Sequence, residues 1–583
     1  MTYTKGKWDL TKLLKKGTKE EVLEKVEEIK QKVEQIEKYK DKLDSITPTE
    51  FTQIIKVLEQ IKHDKEIVYM YLSLRFHANT KDQEAGALLS QLESELSRLG
   101  NKILFFALWF KELSDDSAQK FIDSMPGYEY YLKDIRRSKP YILSEKEEKI
   151  INLLSTHGVG ALESVYSIFT NSFMFEWEGK KITQEELISK VRSSKPEVRK
   201  KAYQTLLGKY TDNKLVINEI YKHIVLDWKT EGVDLRGYKS PLFIRSFSQN
   251  LREETVKLLM DVCRENVKLF QKYFLLKAKL IGVEKLKRFD IYAPLKEIDE
   301  HFEYGDAVQK VIDTYSEFDT EMGELAKSMF DENLVDSDVC EGKRSGAFCM
   351  SGPIDYKPYV LLSFVDKWKD ISTLAHEIGH AIHHMLAAKT NNNFTVHAEL
   401  PVCETASIFG EQLLAEKVLS EVEDDVKIDI LAQQIDGMYG SIMRQIYFVI
   451  FEELAHKAYA EGATVDEMSE IYYGTLKEHF GDSVELTDDF KWEWLYIPHI
   501  FHTPFYCYAY SFGNLLVLAL YKKYKEEGDS FVPKIKKMLE LGGSMSPEEV
   551  VATAGFDINQ KEFWQGGFDV IKEMIAELEK LVK

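Results

Sequence analysis

The sequence predicts a mostly α-helical protein of two lobes, with a small β-sheet beside one His-rich helix. Three observations carry this expectation. Apolar residues recur at three- and four-residue spacing through most of the 583 positions. Helix-start signatures of the S/T-x-x-E kind open two of these runs. Only a few short stretches read as strands.

The bulk numbers bound the class. Hydrophobic residues make up 44% of the chain and aromatic residues 12%, enough to bury a large core rather than stay disordered. A formal charge of −20 argues against a nucleic-acid partner, which wants a basic surface. The five cysteines lie far apart with no C-x-x-C pair, which suits a reducing compartment better than a disulfide framework. The N-terminal stretch MTYTKGKWDLTKLLKKG has no apolar h-region of a signal peptide. The longest apolar runs, such as ILFFALWF (103–110) and LLVLALY (515–521), are too short to span a bilayer. The expectation is a soluble, cytoplasmic protein with no membrane partner.

Taken in order, Thr18 and Glu21 form a capping box, and Val22, Val26, Ile29, Val33, Ile36 and Leu43 follow at helical spacing. The turn SITPTE (45–50) ends that helix, and a second begins near Phe51, giving a helical hairpin. Helical periodicity continues from about residue 80 to 170, broken at Pro126-Gly127 and Pro140. FMFEWEGKKIT (173–183) alternates around Glu178-Gly179 and reads as a small hairpin. A new helix starts in SSKPEVRKKAY, with Ser194 and Glu197 as a second capping box. A soft boundary near residue 190 therefore divides an N-terminal helical lobe (1–190) from a second lobe (191–583). Extended pieces are expected at RFDIYAPL (288–295), GAFCMSG (346–352) and YVLLSF (359–364), the last two as an antiparallel pair.

Just beyond that pair, LAHEIGHAIHH (374–384) holds four of the chain's 14 histidines. Asp370 and Ser372 are good N-cap candidates, and no proline interrupts 373–388. His376 and His380 are then one turn apart on one helix face, the separation at which two imidazoles reach a single Zn²⁺. Glu377 lies about 100° around the helix, placed to take a proton from a metal-bound water rather than to be a third ligand. An H-E-x-x-H arises by chance in such a chain with a frequency of roughly a few per cent, so a third ligand has to decide the matter.

The nearby candidates are His383, His384, His397, Glu399, Cys403, Glu404 and Glu411. His384 would put three ligands in a row along one helix, which cannot surround a tetrahedral ion well. A third histidine six residues after His380 is absent, because Leu386 stands there. Pro401 can open a second helix, on which Glu404 and Glu411 lie two turns apart on one face. One can bind the metal while the other hydrogen-bonds a ligand histidine; Glu404 is the expected ligand, completing a His₂Glu site. Cys403 reads as a small core residue. Gly379, between the two ligand histidines, would let a neighbouring element approach closely.

A second dense stretch is IPHIFHTPFYCYAYSFG (497–513). Thr503 and Pro504 look like an N-cap and first helical turn, which would put Tyr506 and Tyr510 on one face with Tyr508 turned aside. His499 and His502 would precede them in a turn or loop. Phenol or imidazole donors of this kind stabilise an oxyanion, though tyrosine stripes also pack as core. Spacing does not choose among these donors.

HEIGHAIHH followed at this distance by ETASIFGEQLL, with IPHIFHTPFYCYAY near the end, resembles the oligoendopeptidase F branch of the thimet-oligopeptidase family of zinc peptidases. RGYKSPLFIRSFSQNL, KLKRFDIYAPL, KRSGAFCMSG, YVLLSF and MYGSIMRQIYFVIFEE extend the likeness over most of residues 110–583. The resemblance implies a two-lobed helical metallopeptidase with a deep substrate channel, one Zn²⁺ per chain, and cleavage of short peptide partners at internal bonds. It implies His376, His380 and Glu404 as zinc ligands and Glu377 as general base. His499, Tyr506 and Tyr510 become oxyanion and substrate contacts, and the GAFCMSG strand pairs with the substrate backbone. His383 matches a non-ligand histidine. Two departures stand out: Gly410 where the branch commonly has Asn, and His502 where others carry an aromatic. A zinc exopeptidase and an inactive peptide-binding scaffold are the rival readings; the G-x-M-E-N stretch of one large aminopeptidase group is missing.

Overall fold

In the computed structural model, which describes residues 3–295 and 301–583, the chain separates into two compact units, each assembled from three stretches. The first comprises Met1–Pro140, Glu300–Val418 and Lys523–Gly555; the second comprises Tyr141–Asp299, Leu419–Lys522 and Phe556–Lys583. Residue 190 lies within the second, at the end of the helix Gln184–Lys190 and just before the helix Pro196–Asp212.

The first unit opens on the expected hairpin. Thr18 accepts from the Glu21 amide and starts the helix Lys19–Glu37, which buries Val22, Ile29, Val33 and Ile36. This helix stops earlier than its apolar pattern, because the polar run after Glu37 offers only Tyr39 and Leu43 for burial; a 3₁₀ turn covers Lys40–Ser45. A capping box of Thr47 and Glu50 then starts the helix Pro48–Ala78, three residues before Phe51. With the helix Gln83–Glu112 these pack around Phe51, Phe106 and Phe110 in one apolar cluster.

The same unit carries a three-stranded sheet in which Tyr359–Leu361 is central. It pairs in parallel with Val335–Asp336 and antiparallel with Phe348–Met350. The expected pair of strands is therefore present, and Phe348–Met350 lies at the edge. Lys343 is buried beside it, donating to the Asp336 carboxylate at 2.5 Å and to the Leu362 carbonyl at 2.7 Å, so the loop into the edge strand is tied to the sheet.

In the second unit the hairpin Phe175–Trp177 with Lys180–Ile182 forms as expected, with Glu178 and Gly179 both in the left-handed region at its turn. Two expectations fail here. No capping box starts at Ser194: the helix begins at Pro196 with Lys195 as an N-cap that has no side-chain bond. Pro196 brings its own fixed φ to the first helical position, and Arg199 takes the carbonyls of Ser193 and Ser194. Nor does RFDIYAPL extend as a strand. Only Leu286–Lys287 pairs, with Val484–Glu485, and the chain then turns through a 3₁₀ helix at Arg288–Asp290. Buried partners cause the bend: Arg288 bonds Glu493 and Asp290 bonds Arg199, both at 2.6 Å.

The five cysteines are unpaired. No helix among the described residues is long and apolar enough to cross a membrane.

Candidate metal centre and donor cluster

The His-rich stretch is a helix, Trp368–Ala387, starting a turn before either expected N-cap. Asp370 works from inside the first turn instead, its carboxylate accepting from the amides of Val365 and Lys367. Ser372 points elsewhere, donating to Glu411 at 2.9 Å.

The element crossing this helix is not continuous. A short turn of helix, Leu400–Cys403, ends at Glu404, whose ψ of 2° breaks the run, and a second helix covers Thr405–Glu421. Gly379 lets the two cross closely. A Cβ there would stand 2.6 Å from the Ala406 carbonyl oxygen and from the Ser407 Cα. Gly410 has a similar role, since its Cβ would collide with the Tyr315 hydroxyl, which donates to the Ala375 carbonyl one residue before His376.

This crossing sets the site. His376 Nε2 and His380 Nε2 stand 3.2 Å apart, and Glu404 Oε2 lies 3.3 Å from the first and 3.2 Å from the second. The three side chains form a group able to hold a metal ion. Donors about 2.0–2.1 Å from one tetrahedral ion are about 3.3–3.4 Å from each other, so the triangle has the edge length of a zinc tetrahedron with its fourth vertex open. His376 Nδ1 bonds Glu411 Oε1 at 2.6 Å. A carboxylate only accepts, so Nδ1 keeps its proton, and in the neutral ring it is Nε2 that presents a lone pair to the centre of the triangle.

The electrostatics of the group favour positive charge at its centre. Burial pulls the His376 pKa down, but Glu411, Glu404 and Glu377 outweigh it and carry it up to about 9. Burial pushes Glu404 up, but His380, His376 and Ser407 outweigh it and hold it at about 2. Burial raises Glu377 above the ordinary carboxylate range against the pull of both histidines. The carboxylates thus draw positive charge to this point, as a proton on His376 or as a cation in its place.

Glu377 lines the same cavity of about 370 Å³ as the triangle, together with Phe348, Cys349 and Ser351 of the edge-strand segment. His384 is not one of the three donors; it stacks on His397 at 5.6 Å, and both rings line the same cavity. Burial lowers His383 to about 4 and His384 to about 3. Cys403 donates to the Leu400 carbonyl.

His499, Tyr506 and Tyr510 belong to the second unit, where their rings cluster. Tyr510 lies edge-on to His499 at 5.9 Å and to Tyr506 at 5.3 Å. The helical expectation for this stretch needs correction. His499 and His502 sit on a short helix, Pro498–His502, not in a loop. Thr503 and Pro504 start no helix; the next one is Tyr508–Glu527, so Tyr510 is helical and Tyr506 is in the turn before it. The cause is Phe505, whose φ of 57° a right-handed helix cannot contain. His502 bonds Ser167 and packs edge-on to Tyr166.

Ser407 and Tyr315 did not emerge from the sequence. Ser407 donates to Glu404 Oε2 at 2.7 Å, and its three-residue spacing from Glu404 was a usable signal. Tyr315 lies 60 residues before the carbonyl it binds, and nothing local marks it.

The family model described as Peptidase family M3 matches residues 190–570. The chain belongs to this family. A second model, Oligopeptidase F, matches residues 109–175. The chain is 28% identical over 587 residues to an Oligoendopeptidase F homolog of Borreliella burgdorferi, covering 99% of this chain and 98% of that one. It is also 28% identical to Group B oligopeptidase PepB of Streptococcus agalactiae, covering 91% and 90%. The crystal structure of oligoendopeptidase-F from Enterococcus faecium shares the fold, with a TM-score of 0.73 at 22% identity over 97% and 99% of the two chains. The chain thus falls in the oligoendopeptidase F branch of the M3 zinc metallopeptidases. The zinc that this family implies fits the donor triangle in atom type, edge length and charge.

Proposed function

We propose that the chain is a zinc-dependent endopeptidase that hydrolyses internal bonds of short peptides, with His376, His380 and Glu404 as the ligands of one Zn²⁺. The observation that carries this reading is the triangle of two imidazole nitrogens and one carboxylate oxygen, with Glu377 facing the same cavity. When bound, the ion supplies a Lewis acid that acidifies water and polarises a peptide carbonyl.

The chain's own residues do the rest. Glu377 takes the proton of the attacking water and hands it to the leaving amine. Its raised pKa brings proton uptake and release closer together in energy. Glu411 holds the His376 tautomer and ring plane, and Ser372 holds Glu411. Phe348–Met350 offers an edge to an extended substrate, whose backbone would add as a further strand. His499, Tyr506 and Tyr510 act as oxyanion and substrate donors; the clustering of their rings and their match to the family's C-terminal motif support this. We take the catalytic lobe as residues 191–583, since the family match begins at 190.

A peptide ladder with free and blocked ends, digested with and without a chelator and read by mass spectrometry, tests the reading. Chelator-sensitive internal cuts that survive blocking of both ends are expected. Cuts that require a free terminus would make it an exopeptidase, and stoichiometric zinc with no cuts would make it a peptide-binding scaffold.

A further inference from the structure

The stretch Thr503–Tyr506 is a β-turn, with the Tyr506 amide donating to the Thr503 carbonyl at 3.2 Å. Its second position is Pro504 and its third is Phe505 at a φ of 57°. A positive φ at the third position is the mark of a type II turn, which normally asks for glycine or asparagine there. Phenylalanine with Cβ and ring in the left-handed region is strained. Type I and type II turns differ by a flip of one peptide group, the one between the two central residues. Left to its own preference, Pro504-Phe505 would adopt the type I form.

Two side chains, the buried Glu452 and the half-buried Arg245, hold that one peptide group from opposite ends. Arg245 Nε donates to the Pro504 carbonyl at 2.8 Å. Glu452 Oε1 accepts from the Phe505 amide at 2.7 Å. Glu452 is 1% exposed, and its Oε2 has no hydrogen-bond partner, so its one polar contact is with this turn. The Arg245 guanidinium is itself fixed over the Trp228 ring at 5.2 Å. The turn leads directly into Tyr506 and the first turn of the helix that carries Tyr510, whose amide bonds the Cys507 carbonyl.

We propose that Arg245 and Glu452 are positioning residues which clamp the Pro504–Phe505 peptide in its flipped orientation and thereby aim Tyr506 and Tyr510 at the developing oxyanion. This rests on the reading of those tyrosines and His499 as donors. The clamp touches no substrate. It transmits position through a single peptide plane, so its loss weakens the transition state more than ground-state binding.

The distinguishing property is the acceptor at position 452, not its charge. Burial pushes the Glu452 carboxyl up to about 8 against the pull of the Phe505 amide and of Arg245, so glutamine, which keeps a carbonyl acceptor, reproduces the form present near neutral pH. Glu452→Gln is therefore expected to retain kcat within about threefold. Glu452→Met, of similar volume without an acceptor, is expected to lose about 10- to 100-fold in kcat with KM little changed. Affinity for a phosphinic peptide that mimics the tetrahedral intermediate should weaken in proportion, while zinc content stays at one per chain. Arg245→Met removes the other half and should show the same split, which keeps the test open if one variant fails to fold.

Wild-type kcat in both Met variants, or equal losses in Glu452→Gln and Glu452→Met, would overturn the proposal. Tyr506→Phe, Tyr510→Phe and His499→Ala are measured alongside. If these three keep full activity, the donor reading itself is wrong and the clamp falls with it; if they are impaired while the Met variants are not, only the clamp falls.

Discussion

Replacing Gly379 by alanine sets two physical effects against each other, and the structure says which wins. In an ordinary helix interior the change stabilises by about 0.8–1.0 kcal/mol, because alanine loses less backbone entropy than glycine. Here the new methyl would meet the Ala406 carbonyl oxygen and the Ser407 Cα at 2.6 Å and the Ala406 carbonyl carbon at 2.8 Å, all backbone atoms of the crossing segment. No side chain can rotate away, so reaching an ordinary 3.4 Å contact requires the two segments to part by about 0.8 Å. Overpacking of this kind costs about 1–3 kcal/mol, more than the helix gains. The same displacement carries Glu404, two residues before Ala406, away from His376 and His380. A zinc site tolerates about 0.2 Å in ligand distance, so affinity should fall by about 10- to 100-fold or more. Chelator competition and thermal melts of Gly379→Ala measure both quantities. An unchanged or raised Tm, with zinc affinity equal to wild type, would refute the close-crossing account.

Glu411→Ala leaves the three ligands in place but frees His376 Nδ1; zinc affinity should fall about 10- to 100-fold, read by the same competition, whereas equal affinity would deny Glu411 its orienting part. Stability should also depend on pH through Glu452. Its pKa in the folded chain, about 8, lies above the usual 4.5, so its neutral form favours folding below pH 4.5 and that contribution is lost as pH rises towards 8. From pH 6.5 to 8 the loss is about 1–2 kcal/mol, and denaturant melts of Glu452→Gln should lack that slope. At acid pH the buried His479 works the other way. Burial lowers its pKa to about 3, so stability is lost as pH falls below 6.5 towards 3, and melts of Glu452→Gln across pH 4–6.5, where the opposing Glu452 slope is absent, should show Tm rising with pH.

Much of the candidate metal centre was legible because its signals are local. His376, Glu377 and His380 share one helix and one period, and Glu404 and Glu411 follow within 35 residues of His376. The glycine between the histidines also announced the close crossing. What stayed hidden depends on distant partners. Nothing in RFDIYAPL reveals that Arg288 and Asp290 will be drawn inward by Glu493 and Arg199, turning an extended reading into a 3₁₀ bend. Thr503-Pro504 carries a sound helix-start signal, and the structure overrides it because Arg245 and Glu452, over 250 and 50 positions away, hold Phe505 where a helix cannot pass. Local propensity places elements well, but long-range polar contacts decide their ends.

The central claim is that the triangle binds zinc while Glu377 moves the proton. Glu377→Gln separates these roles, since Glu377 is not one of the three donors. Metal analysis of the purified variant, together with single-turnover hydrolysis of a fluorogenic peptide, is the direct measurement. One zinc per chain with hydrolysis reduced by several orders of magnitude is the predicted result. Full hydrolysis, or loss of the metal with the carboxylate, would contradict it.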